Sequence, residues 1–328
     1  TPGSYTHLTE FFGPVLGVMR ARDLRAAVAL VNQTGFGLTS GLQSLDEREQ
    51  EEWRDGIVAG NLYINRVTTG AVVHRQPFGG MGKSAFGPGI KAGGPNYVAQ
   101  LMRFVDAEGQ APAPDEPLQS ETLAALRRAL LARHPAGEHP PELVRLLRAL
   151  HSYEAAWALE FGQQHDDFRL LGQDNIRRYL AVHSMWVRVH PADDAFEIFA
   201  RVAAAATAGC HIVVSSPPGL ALPMVGLADE LTEDWGARVE FVEETDEELA
   251  ERVGAGLVDR VRYAAPDRVS KAVLAAVGDS GVFIARDPVL EEGRIELLWY
   301  VREQSISHDY HRYGNLGGRS NEDRSPVT

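Results

Sequence analysis

Four short stretches in the first hundred residues combine reactive side chains with turns that expose backbone donors: Glu10-Phe11-Phe12-Gly13-Pro14, Thr68-Thr69-Gly70-Ala71-Val72-Val73, Gln76-Pro77-Phe78-Gly79-Gly80 and Lys91-Ala92-Gly93-Gly94-Pro95. A carboxylate such as Glu10 accepts from a pair of sugar hydroxyls, and an aromatic ring two residues on, Phe12, can wall off a flat heterocycle. The small side chains around Gly70 and Ala71 leave N–H groups free to cradle an anion. Taken singly, each stretch also has a plainer explanation in turn chemistry, since Gly and Pro punctuate most loops.

Other motifs lead elsewhere. Gly79-Gly80-Met81-Gly82-Lys83-Ser84 ends like a phosphate-binding loop, but its first glycine would fall on Pro77, which has no N–H and a fixed φ. Gly35–Gly41 misspaces the dinucleotide glycines and precedes a strand, so it reads as a helix stop and turn. His308-Asp-Tyr-His311 offers two imidazoles and a carboxylate, with no third strong ligand near, and reads as a surface or docking feature. Asn32-Gln33-Thr34 matches a glycosylation acceptor, irrelevant to a cytosolic chain. Cys210 enters an apolar run and reads as a small buried hydrophobe, not a nucleophile.

The elements that must position these residues follow from periodicity. Val15–Arg20 reads as a strand, Asp23 as the N-cap of a helix to about Gln33, Leu38–Ser44 as a strand, Asp46–Gly56 as an acidic helix and Gly60–Arg66 as a strand. This alternation favours a parallel or mixed sheet. Beyond it, Val105–Ser120 holds three prolines in six residues and reads as a linker. Ser120–His134 and Pro141–Gly162 carry leucines at helical spacing. Strands are then expected at Ser184–Val189, His211–Ser215, Arg238–Val242, Leu257–Tyr263 and Val282–Ala285, alternating with helices near 194–208, 221–235, 246–254 and 267–278, which describes a doubly wound sheet. Arg294–Tyr300 reads as a further strand, and 305–328 as a polar docking tail unable to form a core.

Composition narrows the class. The length of 328 residues favours two domains, and 44% hydrophobic with 23% charged residues is a globular composition. Net charge is -13, and the Lys-poor basic set (Lys83, Lys91 and Lys271 only) disfavours nucleic acid and anionic lipid. No apolar run is long enough to span a bilayer. A single cysteine excludes an intrachain disulfide framework and multi-cysteine metal sites, and a cytoplasmic setting is expected. The start at Thr-Pro-Gly, without Met, suggests a piece of a longer polypeptide.

Taken together with Asn32-Gln-Thr-Gly-Phe-Gly-Leu-Thr-Ser-Gly41 and Gly60-Asn-Leu-Tyr-Ile-Asn-Arg66, the four stretches strongly resemble the C-terminal part of the aldehyde dehydrogenase superfamily. Thr-Gly-Ala-Val-Val and Lys-Ala-Gly-Gly-Pro resemble its L-glutamate γ-semialdehyde (Δ1-pyrroline-5-carboxylate) dehydrogenase branch. The resemblance implies that Glu10 holds the nicotinamide ribose of NAD and that Phe12 packs near the nicotinamide. It implies that Gly70 and Ala71 donate N–H groups to the substrate carboxylate, with Phe78 packing on the methylene chain. The family's nucleophilic cysteine, base glutamate and oxyanion asparagine lie upstream of its Glu-x-Phe-Gly-Pro motif, so no catalytic residue is assigned in this chain, and the chain alone is expected to be inactive.

The second half is similar to the opening of a coenzyme domain of the same superfamily, through Gly172–Asn175, Val182–Pro191 and Ala203–Pro217. It lacks the oxyanion Asn and the lysine that meets the adenosine ribose, and its Gly-rich turn is replaced by Glu243-Glu-Thr-Asp-Glu-Glu248, whose carboxylates repel pyrophosphate. Such an arrangement, ending in Arg302–Ser307 and His311–Leu316, looks like the C-terminus of the long bifunctional proline utilisation flavoenzymes, which pass the semialdehyde through an internal tunnel.

The expected fold is therefore α/β. Residues 1–104 complete an aldehyde dehydrogenase catalytic domain, 105–120 link, 121–304 form a degenerate coenzyme-domain-like Rossmann module, and 305–328 dock. The expected function is the C-terminal portion of an NAD-dependent semialdehyde dehydrogenase acting second in proline catabolism. FAD is expected only in an upstream proline dehydrogenase domain, and the partners are the missing N-terminal part and the semialdehyde, with neither nucleic acid nor metal. A monofunctional parent, a purely structural or assembly role, and a homo-oligomeric state remain open alternatives.

Overall fold

The computed structural model describes residues 1–107, 113–134, 139–220 and 222–326. A one-turn helix α1 (Tyr5–Leu8) precedes α2 (Leu24–Gln33), which starts where the Asp23 carboxylate accepts the Ala26 N–H at 2.7 Å. Gly35, at φ +73°, ends it, and β1 (Phe36–Gly37) and β2 (Thr39–Leu42) follow. Helix α3 (Glu47–Gly56) is capped by Asp46 and begins with Glu47 and Glu49, charges suited to a helix N-terminus. β3 (Asn61–Ile64) is buried along its length, and β4 (Met81–Gly82) pairs antiparallel with β1.

Ser120 caps α4 (Glu121–Arg133), and Pro141 opens α5 (Pro141–Ala156) at a position that needs no N–H donor. Then come β5 (Gln173–Ala181), β6 (Ser184–Arg188), α6 (Ala195–Ala208), β7 (His211–Ser216), α7 (Pro223–Thr232), β8 (Val239–Glu243), α8 (Asp246–Gly254), β9 (Arg260–Arg262), α9 (Lys271–Ser280), β10 (Phe283–Ala285), α10 (Gly293–Glu296) and β11 (Val301–Asp309). The alternation expected between 184 and 285 is present element by element.

Two compact units result: Thr1–Gln100 with Gln164–Arg178 and Glu303–Thr328, and Leu101–Gln163 with Tyr179–Arg302. This division differs from the single seam expected at the Pro-rich stretch. Of the 105–120 linker, residues 108–112 lie outside the described residues, while Asp106 accepts from Arg145 and from the Glu291 N–H and Leu118 is buried, so these ends are packed parts of the second unit.

The first unit contains a four-stranded sheet in the order β2-β3-β11-β5. β2 and β11 both run parallel to β3, with Thr39 and Ser305 flanking Asn61. Trp53, Ile57, Ala59, Leu62, Ile64 and Ile306 form its core, with Leu24, Val28, Leu42 and Ile176 packed against it. Two expectations are corrected here, and one strand was not expected. Val15–Arg20 forms no strand: it is exposed and irregular, and no strand among the described residues lies beside it to complete a ladder. Residues 305–309 are not tail but the end of a central strand, with Ser305, Ile306 and Ser307 buried. β5 escaped notice because Asp174, Asn175 and Arg177 occupy its buried positions and hide the alternation.

The second unit contains a five-stranded, wholly parallel sheet ordered β10-β9-β6-β7-β8. Chain order reverses between β6 and β9, the switch point at which doubly wound folds leave a crevice. Helix α6 packs against this sheet with Phe196, Ile198, Phe199 and Val202 buried, each such side chain contributing about 1.5–3 kcal/mol. Asp194 and Glu197 form a reciprocal capping box at its start, and Gly209, at φ +81°, closes its end. Arg294–Tyr300, expected as a strand, is helical. Leu297 to Tyr300 are all buried, which periodicity does not resolve, and the Tyr300 hydroxyl donates to Glu296 one turn back at 2.9 Å.

The crevice at the switch point is filled from within. Fully buried Arg201 of α6 donates to the Arg188 carbonyl at 2.8 Å and the Arg262 carbonyl at 3.2 Å, the last residues of β6 and β9. It also pairs with buried Asp193, which takes Arg268 on its other oxygen. Arg201→Leu leaves Asp193 short of one partner and removes the side-chain donor to both carbonyls. A loss of about 3–5 kcal/mol in unfolding free energy by urea denaturation is expected, and a change below 1 kcal/mol would show that the plug contributes little.

Candidate functional site

In the first unit, β3 delivers the chain to the loop in which sequence reasoning placed the anion cradle. Asn65, at φ +58°, turns the chain, and Arg66 ties the loop down by donating to Ser307 Oγ of β11 and to the Thr69 carbonyl at 3.3 Å. Gly70, at φ +91°, makes a bend that favours glycine. Gly70 and Ala71 are exposed, and their N–H groups meet no acceptor among the described residues. The loop returns through the Gln76 N–H, which donates to the Val72 carbonyl at 2.7 Å, and through Phe78, which bridges to Ala92 with bonds of 2.9 and 3.1 Å.

The turn at Gly79 is set by buried polar groups. Asn61 of β3 donates from Nδ2 to the carbonyls of Leu38 at 2.6 Å and Gly79 at 3.1 Å, and Lys91 Nζ donates to the same Gly79 oxygen. A Cβ on Gly60 would overlap that oxygen and Lys91 Nζ, so this close approach requires glycine. Lys91 is 1% exposed, and burial pushes its ammonium down to about 7, opposed by nearby Glu303. Burial conversely raises Glu303, against hydrogen bonds from Asn96 and the Lys91 N–H. Sequence reasoning singled out Lys91 only as part of a Gly-Gly-Pro motif, and it assigned nothing to Asn61, Asn96 or Glu303.

Glu10 and Phe12 lie on a separate, exposed segment after α1, where Phe11 meets Tyr5 edge-on at 5.9 Å and Phe12 is wholly exposed. Among the described residues, Glu10 makes no hydrogen bond or ion pair, and no hydrogen bond or ring contact joins this segment to the 70–78 loop. Gly70, Ala71 and Phe78 are thus brought into one anchored loop, while Glu10 and Phe12 stand apart. The Gly79–Ser84 stretch is a tight turn in which a Cβ on Gly80 would collide with the Ser84 carbonyl, and Lys83 reaches back to the Thr34 carbonyl at 3.1 Å.

In the second unit, the acidic turn is structural. Glu243 ends β8, and Thr245 and Glu248 cap α8. Glu244 is buried and accepts from Ser215 Oγ at 2.6 Å and Trp186 Nε1 at 2.8 Å, while Arg188 pairs with Asp246 at 2.8 Å. A cavity of about 490 Å³ beside β7 and α7 has Asp229 and Glu243 as its charged lining, with no Lys or Arg among its described lining residues to meet a phosphate. Cys210 is buried with Sγ 3.5 Å from the Tyr300 carbonyl, and burial pushes its thiol up to about 12, far from nucleophilic at neutral pH. His308, in the first unit, sits at the end of β11 with Nδ1 3.9 Å from Asp174, and burial lowers its pKa. No group of three metal-ligating side chains exists among the described residues, and no described helix is long and apolar enough to cross a membrane.

Residues 1–105 match the model of the aldehyde dehydrogenase family. The chain is 32% identical to the bifunctional protein PutA of Rhizobium meliloti over 314 aligned residues, 91% of this chain and 23% of that protein. It is 45% identical to the 1-pyrroline-5-carboxylate dehydrogenase of Bacillus cytotoxicus over 94 residues, 29% of this chain and 18% of that one. The structure of proline utilization A from Corynebacterium freiburgense superposes with a TM-score of 0.71 at 33% identity, covering 96% of this chain and 27% of the other. The chain therefore spans about a quarter or less of the length of these relatives.

Buried Lys91 predicts a pH signature. Its folded value, about 7, lies below the ordinary 10.5, so between these limits the unfolded chain binds the extra proton and stability rises with pH, by at most about 1.4 kcal/mol per unit. From pH 7 to 8.5 the first unit, followed at Trp53 by fluorine NMR of 5-fluorotryptophan-labelled protein, is expected to gain about 1.6 kcal/mol. Lys91→Met should flatten that slope, and an unchanged slope would show that Lys91 is not its source.

Proposed function

We infer that residues 1–105, a segment of the aldehyde dehydrogenase family, supply the substrate-carboxylate loop and part of the coenzyme contact of an NAD-dependent L-glutamate γ-semialdehyde dehydrogenase. The observation that carries this reading is the pair of unengaged N–H groups at Gly70 and Ala71, on a loop pinned at both ends. Two adjacent amide donors with small side chains suit a carboxylate, and Phe78, half-buried at the loop's far end, suits an aliphatic chain. The overall reaction is aldehyde plus NAD⁺ plus water to carboxylate plus NADH and protons.

The residues present fit the coenzyme. Glu10 offers an exposed carboxylate with no competing partner, able to accept two hydroxyls of a ribose, and Phe12 offers a free ring face beside it. Nicotinamide, when bound, accepts the hydride; the role of this chain is to hold the ribose at Glu10, limit water at Phe12 and orient the substrate at Gly70 and Ala71. The thiolate and the base belong, on this reading, to another part of a longer polypeptide.

A bifunctional parent is favoured over a monofunctional one. The similarity to bifunctional PutA extends over 91% of the chain and so includes the second unit, whereas that to the 1-pyrroline-5-carboxylate dehydrogenase stops at 94 residues. FAD would then be confined to a proline dehydrogenase domain elsewhere in the polypeptide. The second unit acts as a non-catalytic module, its switch-point crevice closed by Arg201, and the setting is cytoplasmic.

Two substitutions in the full-length enzyme test the assignment. Glu10→Ala removes charge-assisted acceptors and is expected to raise KM for NAD about ten-fold or to slow hydride transfer comparably; unchanged coenzyme kinetics would refute the role. Ala71→Leu crowds the cradle and should raise KM for the semialdehyde about ten-fold with little effect on KM for NAD. An unaltered semialdehyde KM would remove the loop from the substrate site.

A further inference from the structure

The middle and the far end of the 70–80 loop rest on residues 91–94, while Arg66 holds the near end. Phe78 exchanges two backbone hydrogen bonds with Ala92, the Gly79 carbonyl accepts from Lys91 Nζ, and the His74 N–H donates to the Gly93 carbonyl at 2.8 Å. Gly93, at φ +76°, packs so closely that a Cβ there would sit 3.2 Å from Val73 Cα. Whatever fixes residues 91–96 therefore fixes the loop.

That fixing group comes from β11, more than two hundred residues further along the chain. Glu303 Oε2 accepts the Lys91 N–H at 2.8 Å, and Oε1 accepts from Asn96 Nδ2 at 2.6 Å. The Glu303 N–H donates to the Gly89 carbonyl at 3.0 Å, so backbone and side chain hold opposite ends of one segment. Gly94 leaves room for the carboxylate, since a Cβ there would stand 3.3 Å from Oε2. Glu303 and Asn96 are 1% and 2% exposed, and the charged groups acting on the carboxylate are Lys91 and Arg177. A buried carboxylate is costly unless its acceptors are engaged, and here both oxygens are spent on one short segment.

We propose that Glu303 is a positioning residue for substrate recognition: from the last strand of the chain it braces Lys91–Asn96, and through them it sets the Gly70–Ala71 donors and Phe78. The proposal rests on the reading of this loop as the carboxylate site. It gives the terminal strand, more than two hundred residues from the loop it braces, a specific share in substrate choice.

The test uses the full-length dehydrogenase and two substrates, L-glutamate γ-semialdehyde and propanal, which lacks the carboxylate. The readout is the ratio of their kcat/KM values. Glu303→Gln sets an amide donor against one of two existing donors, and is expected to lower the ratio about ten-fold, through KM for the semialdehyde. Adding Asn96→Asp restores complementarity, since the introduced amide can accept from the Lys91 N–H and donate to the introduced carboxylate, and the ratio should recover. A ratio unchanged in Glu303→Gln, or lowered and not regained in the double variant, overturns the proposal, because a merely structural loss lowers both substrates together. If Glu303→Gln does not fold, Asn96→Ala, which removes one donor and no charge, is read by the same ratio with the same expected fall. A wild-type enzyme with no preference for the carboxylated aldehyde fails the carboxylate-site reading itself, an outcome visible before any variant is made.

Discussion

The pairing of β11 with β3 is the constraint on which the first unit depends. Ser305 lies beside Asn61, Ile306 beside Leu62 and Ser307 beside Tyr63, so a strand from the end of the chain occupies the middle of a sheet whose other members come from residues 39–64 and 173–181. Its side chains are mostly polar, and each is satisfied by a specific partner. Gln304 donates to the Ala59 carbonyl at 2.9 Å, Ser307 to Asn175 at 3.0 Å, and Glu303 holds Lys91 and Asn96. A core built this way tolerates one register, because a slip by one residue would leave buried polar groups unpaired.

That constraint links the two kinds of chemistry in the chain. The loop carrying Gly70, Ala71 and Phe78 is short, exposed and rich in small residues, and it has little internal reason to hold one shape. Arg66 anchors it to Ser307 and Lys91 anchors it from below under the hold of Glu303, so its conformation is borrowed from β11. A loop that takes its rigidity from the sheet beneath it is a common arrangement.

The second unit contains a parallel sheet whose switch-point crevice is filled by its own buried side chains. Arg201, Asp193 and Arg268 occupy the switch point, and Glu244 with Trp186, Ser215 and Arg188 occupies the adjoining strand ends. Four of its arginines, Arg188, Arg201, Arg260 and Arg262, are fully buried, a use for which the forked, multiply donating guanidinium is better suited than an ammonium. Helix α6 begins with carboxylates at Asp194 and Glu197 in place of exposed amides, so its positive end is already neutralised.

Most local elements were legible from the residues alone: the Asp23 and Asp46 caps, the Gly35 stop, and the strands and helices between 184 and 285, because there apolar spacing and turn residues agree. The stretches at 10–14, 68–73 and 76–80 stand out in the sequence as candidates, since a carboxylate, an aromatic ring or a glycine turn declares itself by type. What tertiary structure alone decided was which distant residues complete the work. β5 and β11 carry Asn175, Arg177, Glu303 and Gln304 inward, against the usual sign of burial, and Val15–Arg20, apolar enough for a strand, has no ladder to join among the described residues. Polar side chains become core only when partners from elsewhere in the chain arrive to satisfy them, and pairing across more than two hundred residues leaves no periodic mark in the order of amino acids.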